Sequence, residues 1–204
     1  RGGVWRVLGA FDWKKERSRV VFEAAISVLE ELEQTLVDER SRKDFGKLVS
    51  RVLGPVVKEL GTAPRAGEPM TSSLLSAAAV GALFDLGDDA ALAKKLGPLG
   101  RAYLDQGGGA GAPLDADVAQ KALEMLAAQG GAIGAEDLER AKHPQLRVMV
   151  TRALAKKRDE AGLRGSLDLL LDGRVRSGDV RYLTNGATEG PEQRGIFFDL
   201  LGQT

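Results

Sequence analysis

The 204-residue chain has few groups that could do chemistry. It carries one histidine, His143, no cysteine, and 29 acidic side chains balanced by 29 basic ones. A lone histidine cannot form the two-imidazole zinc pair that an H-E-x-x-H helix presents, and the absence of cysteine removes thiolate catalysis and sulfur ligands together. His143 stands before Pro144, where it reads as a helix-boundary residue more readily than as a ligand or acid/base. The carboxylate pairs Asp88-Asp89, Asp115/Asp117 and Glu136-Asp137 could serve as acid/base couples or hard-cation ligands. All three fall at expected helix starts, however, where acids stabilise free amides and the macrodipole. The run Gly107-Gly108-Gly109-Ala110-Gly111-Ala112 formally fits G-x-G-x-x-A. It follows a helix rather than a strand and precedes Pro113, so it reads as a linker and not a pyrophosphate cradle.

One basic cluster stands out: Arg140, Lys142, Arg147, Arg152, Lys156, Lys157 and Arg158. Arg147, Arg152 and Lys156 are the candidates for holding a substrate carboxylate or an interface acid, because guanidinium groups bind carboxylates bidentately. The competing reading is a solvated helix face interleaved with Glu139, Asp159 and Glu160. Balanced charge gives no sign of a nucleic-acid partner or an anionic membrane. No apolar run approaches the roughly 18 residues of a membrane span, and no signal pattern opens the chain, so a cytoplasmic location is the expectation.

These residues must be positioned by helices. Alanine and leucine dominate, aromatics make up only 5 % of the chain, and alternation never persists long enough for a strand. Apolar residues at helical spacing predict elements over 18–37 and 42–60, the second with a kink or break near Gly54-Pro55. Thr71 is expected to cap a helix burying Leu74, Leu75, Ala78, Ala82, Leu83 and Leu86, stopped by Gly87. Asp88 should start the next, with Leu92, Leu96, Leu99 and Tyr103 on one face and a distortion at Gly97-Pro98. Asp115 should cap a helix to Ala128 with Val118, Ala122, Met125 and Leu126 inward. A short helix over 135–142 and another from Pro144, burying Leu146, Met149, Val150, Ala153 and Leu154, follow. The remaining tract reads as that helix ending at Arg158-Asp159, then 161–172, a short helix after Ser177 and a last one after Pro191.

Each element is too short to stand alone and carries a stripe it must bury on a neighbour. The expected fold is therefore all-α: a right-handed superhelix of HEAT/armadillo-like helical hairpins, an α-solenoid filling 1–204 as one domain with a flexible spacer near 106–113. Because the chain begins with Arg1, a fragment of a larger protein is the expectation.

The tract from Arg152 to Leu201 resembles a known family. Zinc aminopeptidases related to aminopeptidase N and to the endoplasmic-reticulum and puromycin-sensitive aminopeptidases carry an "ALA-x-x-RD-x-x-L-x-x-x-L-x-L-x-L-x-G-x-V-R-x-x-D" stretch in their C-terminal helical region. Ala153-Leu154-Ala155, Arg158-Asp159, Leu163, Leu167, Leu169, Leu171, Gly173, Val175-Arg176 and Asp179 fall in step with it. The family's next turn, "NP-x-GR", is matched only loosely by Gly190-Pro191-Glu192-Gln193-Arg194, before Phe197-Phe198. Upstream, Leu60-Gly61, Pro64, Gly67-Glu68, Leu86-Gly87-Asp88 and Tyr103-Leu104-Asp105 follow the family's order of helix boundaries. The resemblance implies a non-catalytic domain that walls the substrate chamber and limits peptide access. It also implies zinc in an upstream catalytic domain and none in this chain. The implied partners are that catalytic domain and its peptide substrates, with neither nucleic acid nor membrane. A free-standing helical-repeat scaffold for a partner protein remains the alternative.

Overall fold

The computed structural model describes residues 8, 13, 16, 18–38, 40–63, 67, 70–87, 89–109, 111–188 and 191–202. Among them are ten helices and no strand. They are α1 (Arg19–Leu36), α2 (Arg42–Leu60), α3 (Met70–Asp85), α4 (Ala90–Asp105), α5 (Ala116–Ala128), α6 (Ala135–Arg140), α7 (Pro144–Leu154), α8 (Glu160–Leu171), α9 (Val180–Ala187) and α10 (Pro191–Leu201). Most pack on a helix one or two places away in sequence, the arrangement of an α-solenoid. Internal packing divides the chain into two compact units, Arg1–Leu92 and Ala93–Thr204, and each is described by itself.

In the first unit, α3 packs on both α1 and α2. Phe22 and Leu29 of α1, Phe45, Val49 and Leu53 of α2, and Leu75, Ala79 and Leu83 of α3 meet in one core. The Trp13 ring lies 5.5 Å from that of Phe22, and its indole N–H donates to the Leu8 carbonyl at 2.7 Å. The expected stripe on α3 is only part of its buried surface. Ala77, Val80 and Phe84 are buried as well as Leu75, Ala82 and Leu83, while Leu74 and Ala78 are only half-buried. A helix apolar on every side has no wet face for a periodic pattern to reveal.

Several boundaries differ from expectation. Helix α3 begins at Met70, so Thr71 is its second residue and not its cap. Helix α2 runs unbroken through Pro55, and α4 runs unbroken through Pro98. The proline ring removes one ladder bond, and packing on both sides of the site retains the helix: Leu53 and Val56 are buried beside Pro55, Leu96 and Gly100 beside Pro98. Asp88, Pro64, Glu68 and Gly190 lie outside the described residues. Asp89 takes the capping role at α4, its Oδ1 accepting the Leu92 N–H at 2.9 Å.

In the second unit, α5 and α7 form the best-packed pair, and α7 also meets α6, α8 and α9. Leu146, Met149, Val150, Ala153 and Leu154 of α7 are all buried, as their spacing predicts. So are Val118, Ala122 and Met125 of α5, while Leu126 is half-buried. Helix α7 stops at Leu154, not at Arg158-Asp159. Asp159 instead caps α8, accepting the Gly162 N–H at 2.8 Å. The Ser166 hydroxyl donates to the Leu154 carbonyl at 2.9 Å and so satisfies one of the free acceptors at the end of α7. The Gly107–Gly111 run turns the chain after α4 with φ between 71° and 93° at Gly107, Gly108, Gly109 and Gly111, a region other residues rarely adopt.

Gly100 marks a close approach of α4 to α5. A Cβ there would lie 2.8 Å from the Ala122 Cβ and 2.9 Å from the Leu123 backbone nitrogen. Backbone cannot yield as a side-chain tip can. Gly100→Val should therefore destabilise the protein by about 2–3 kcal/mol, overpacking outweighing the better helix propensity. Urea unfolding checks this, and an unchanged midpoint would show that the helices are not in contact there.

Candidate functional site

The three basic candidates stand in different settings. Arg147, in the first turn of α7, is half-buried. Its Nη1 donates to the Leu138 carbonyl at 2.8 Å, and its Nη2 donates to the carbonyl of Arg174. Its buried Nε has no partner among the described residues. The guanidinium thus ties α6 and the loop after α8 to α7, which is structural work. Lys156 lies just beyond the α7 C-cap, half-buried.

Arg152 is different. Its guanidinium carbon stands 4.8 Å from the centroid of the Tyr182 ring on α9. Arg181 approaches the same ring at 4.8 Å and donates to the Tyr182 hydroxyl at 2.9 Å. One aromatic ring therefore holds two exposed guanidinium groups, neither with a carboxylate partner among the described residues. Each cation–π contact contributes about 0.5–1 kcal/mol at an exposed site and limits the side chain's wandering. The two carbons lie within about 9.6 Å of each other, the sum of the two centroid distances. Tyr182 and Arg181 were not singled out by sequence, because an Arg-Tyr pair on an eight-residue helix has no pattern that distinguishes it. What the arrangement can do is present fixed N–H donors and positive charge to carboxylates.

The carboxylate pairs act as caps. The Asp115 Oδ1 accepts the Asp117 N–H at 3.0 Å, and the Asp137 Oδ2 accepts the Gly134 N–H at 3.1 Å. Buried Asp137 also receives Arg101 at 2.7 Å and Arg140 at 3.4 Å. Arg101 in turn grips Asp105 through Nε, 3.0 Å from both carboxylate oxygens. That hydrogen bond holds the Asp105 carboxyl below the usual carboxylate range, while the two carboxylates make Arg101 a stronger base. Asp117 moves the other way, pushed up by desolvation and by neighbouring Asp115. Glu124, buried on α5, accepts from Gln120 at 2.9 Å and from Lys121 at 2.9 Å. This pair sits beneath the α5–α7 contact, with Gln120 also reaching the Met149 carbonyl at 3.4 Å.

His143 occupies the N-cap position of α7, exposed and making no side-chain cap. Among the described residues, no group of three or more His, Cys, Asp or Glu side chains could hold a metal ion. The described residues therefore offer no ligand set for zinc. No described helix is long and apolar enough to cross a membrane.

Residues 6–203 match the family of ERAP1-like C-terminal domains, essentially the whole chain. No curated protein and no solved structure gives a match.

Two measurements follow from the geometry. Arg147→Ala strands two carbonyls and should cost about 1–3 kcal/mol in urea unfolding; a loss below a few tenths would show the guanidinium ties nothing. The Asp105 carboxyl titrates lower in the folded chain than the ordinary 3.8. Its contribution to stability is therefore present above that value and lost as pH falls through the folded value. The stability difference between the parent and Asp105→Asn should shrink steadily on acidification below about pH 4; a difference independent of pH would show that Arg101 does not hold the ionised form.

Proposed function

We propose, from the premise that this chain belongs to the ERAP1-like C-terminal domain family and is the C-terminal domain of an aminopeptidase, that it walls the substrate chamber above a zinc-bearing catalytic domain. Its role is to enclose peptides and limit which reach the metal. The single observation that carries this reading is the family match over residues 6–203. The distribution of chemistry supports it: carboxylates cap helices, Arg147 ties loops, and the described residues offer no metal site. Zinc and peptide-bond hydrolysis then belong to the catalytic domain, and no step of the reaction runs through this chain.

Within that role, the Arg152–Tyr182–Arg181 group is the surface for carboxylates, whether of a peptide or of the catalytic domain. Lys156 follows Arg152 by four residues and Arg147 precedes it by five, so both add positive charge along the same stretch of chain while Arg147 holds its carbonyls. Two guanidiniums already ordered by one ring lose less freedom on binding an anion than two free arginines would.

The test is the cleavage rate of a peptide ladder by the intact aminopeptidase, with and without this domain. Enclosure predicts that removing the domain flattens the dependence on peptide length while zinc remains bound. Arg152→Glu with Arg181→Glu in the intact enzyme should alter rates for long peptides by about tenfold and leave aminoacyl-anilides unchanged. An identical length profile with and without the domain would overturn the reading and favour a scaffold for a partner protein.

A further inference from the structure

A cavity of about 420 Å³ opens where α1 turns into α2. Its floor is apolar, formed by Leu36, Val37, Phe45 and Leu48, and cations Lys47 and Arg51 stand at its edge. The turn that shapes it is braced by Asp38 and Ser41. The Asp38 N–H donates to the Ser41 hydroxyl at 2.9 Å, the Ser41 N–H donates to the Asp38 Oδ1 at 2.9 Å, and the Ser41 hydroxyl donates to the same Oδ1 at 2.6 Å. Arg42 adds a bridge back to Glu33 of α1 at 2.8 Å. The cleft is therefore held open by its own hairpin.

Its polar groups are nearly all engaged. Ser41 is bound to Asp38, and the Lys47 ammonium lies 2.7 Å from Asp44. Arg51, one helical turn beyond Lys47, has neither a carboxylate nor a hydrogen-bond partner among the described residues. Among the described lining residues, Lys47 is paired with Asp44 while Arg51 stands unpaired beside an apolar floor. Leu36 is 61 % exposed at that floor, a side chain left wet in a concave site.

We propose that this cleft binds a free medium-chain carboxylate, its alkyl chain lying on Leu36, Val37, Phe45 and Leu48 and its headgroup on Arg51. The unpaired guanidinium of Arg51 favours an anionic headgroup. At about 420 Å³ the cleft lies within the range of small-molecule pockets, room for a medium alkyl chain with the headgroup at the rim. Apolar clefts of this volume with one convergent polar group are the usual form of a small-molecule site. The site uses none of the residues of the basic surface on α7 and α9 and does not depend on the role proposed for the domain.

The test is calorimetric titration of the full chain with hexanoate, octanoate and decanoate below their micellar concentrations, alongside octanol and octylammonium. Affinity should rise roughly two- to fourfold per added methylene, with octanoate above octanol and octylammonium weakest. Arg51→Gln should weaken octanoate about tenfold or more, and Leu36→Asp, at an exposed position that leaves the core intact, should abolish binding. No heat with decanoate, or binding that survives both substitutions, would overturn the proposal. So would sedimentation showing that the cleft is covered by a second copy of the chain, with Leu36→Asp converting a dimer to monomer.

Discussion

Every helix of this chain must find a neighbour before its apolar surface is dry. The described helices run from six to nineteen residues, and segments of that length are marginal in water without tertiary packing. Each unit meets the constraint with a helix buried against several partners. In the first unit α3 takes that place, apolar on every side; in the second α7 meets α5, α6, α8 and α9. The close approach at Gly100, the caps at several helix starts and the loop ties all follow from the need to bring short elements into contact and end them cleanly.

That requirement also accounts for the placement of charge. A fold made of many short helices has many ends, and each end leaves unpaired amides and carbonyls. Asp89, Asp115, Asp137 and Asp159 serve the N-termini. Arg147 and Ser166 serve stranded carbonyls. Many of the acidic and basic residues so abundant in the sequence are therefore taken up at helix ends. The arginines on the Tyr182 ring are the exception, because they are ordered without being neutralised.

Where each helix lies was legible from apolar spacing, since a half-buried helix writes its dry face at 3.6-residue intervals. The α7 stripe is buried residue for residue. Legibility failed where that contrast disappears. Helix α3 has no polar face, so its extra buried residues and its start at Met70 carry no periodic mark. Thr71 and Arg158-Asp159 were misplaced by a few residues, because a capping residue and a first-turn residue look alike without the backbone. Buried Gln120 and Glu124 were missed because polar residues on a helix read as solvent-facing unless their partners, here Lys121 and the Met149 carbonyl, are known. In the basic cluster Arg152 is visible in the sequence, but the ring it packs on, Tyr182, lies thirty residues on, at a separation that only folding closes. Family membership was legible in the order of helix boundaries, though no single one of them is specific.

On the role proposed above, this domain must first hold on to the domain that carries the chemistry. The most direct measurement is titration of this chain against the separately produced catalytic part of its aminopeptidase, with hydrogen exchange read on both. Saturable one-to-one association, protecting amides of this chain while the catalytic part keeps its zinc, is the result expected. Full catalytic and length-selective behaviour by the catalytic part alone, with no association at concentrations well above those of the assay, would contradict the account.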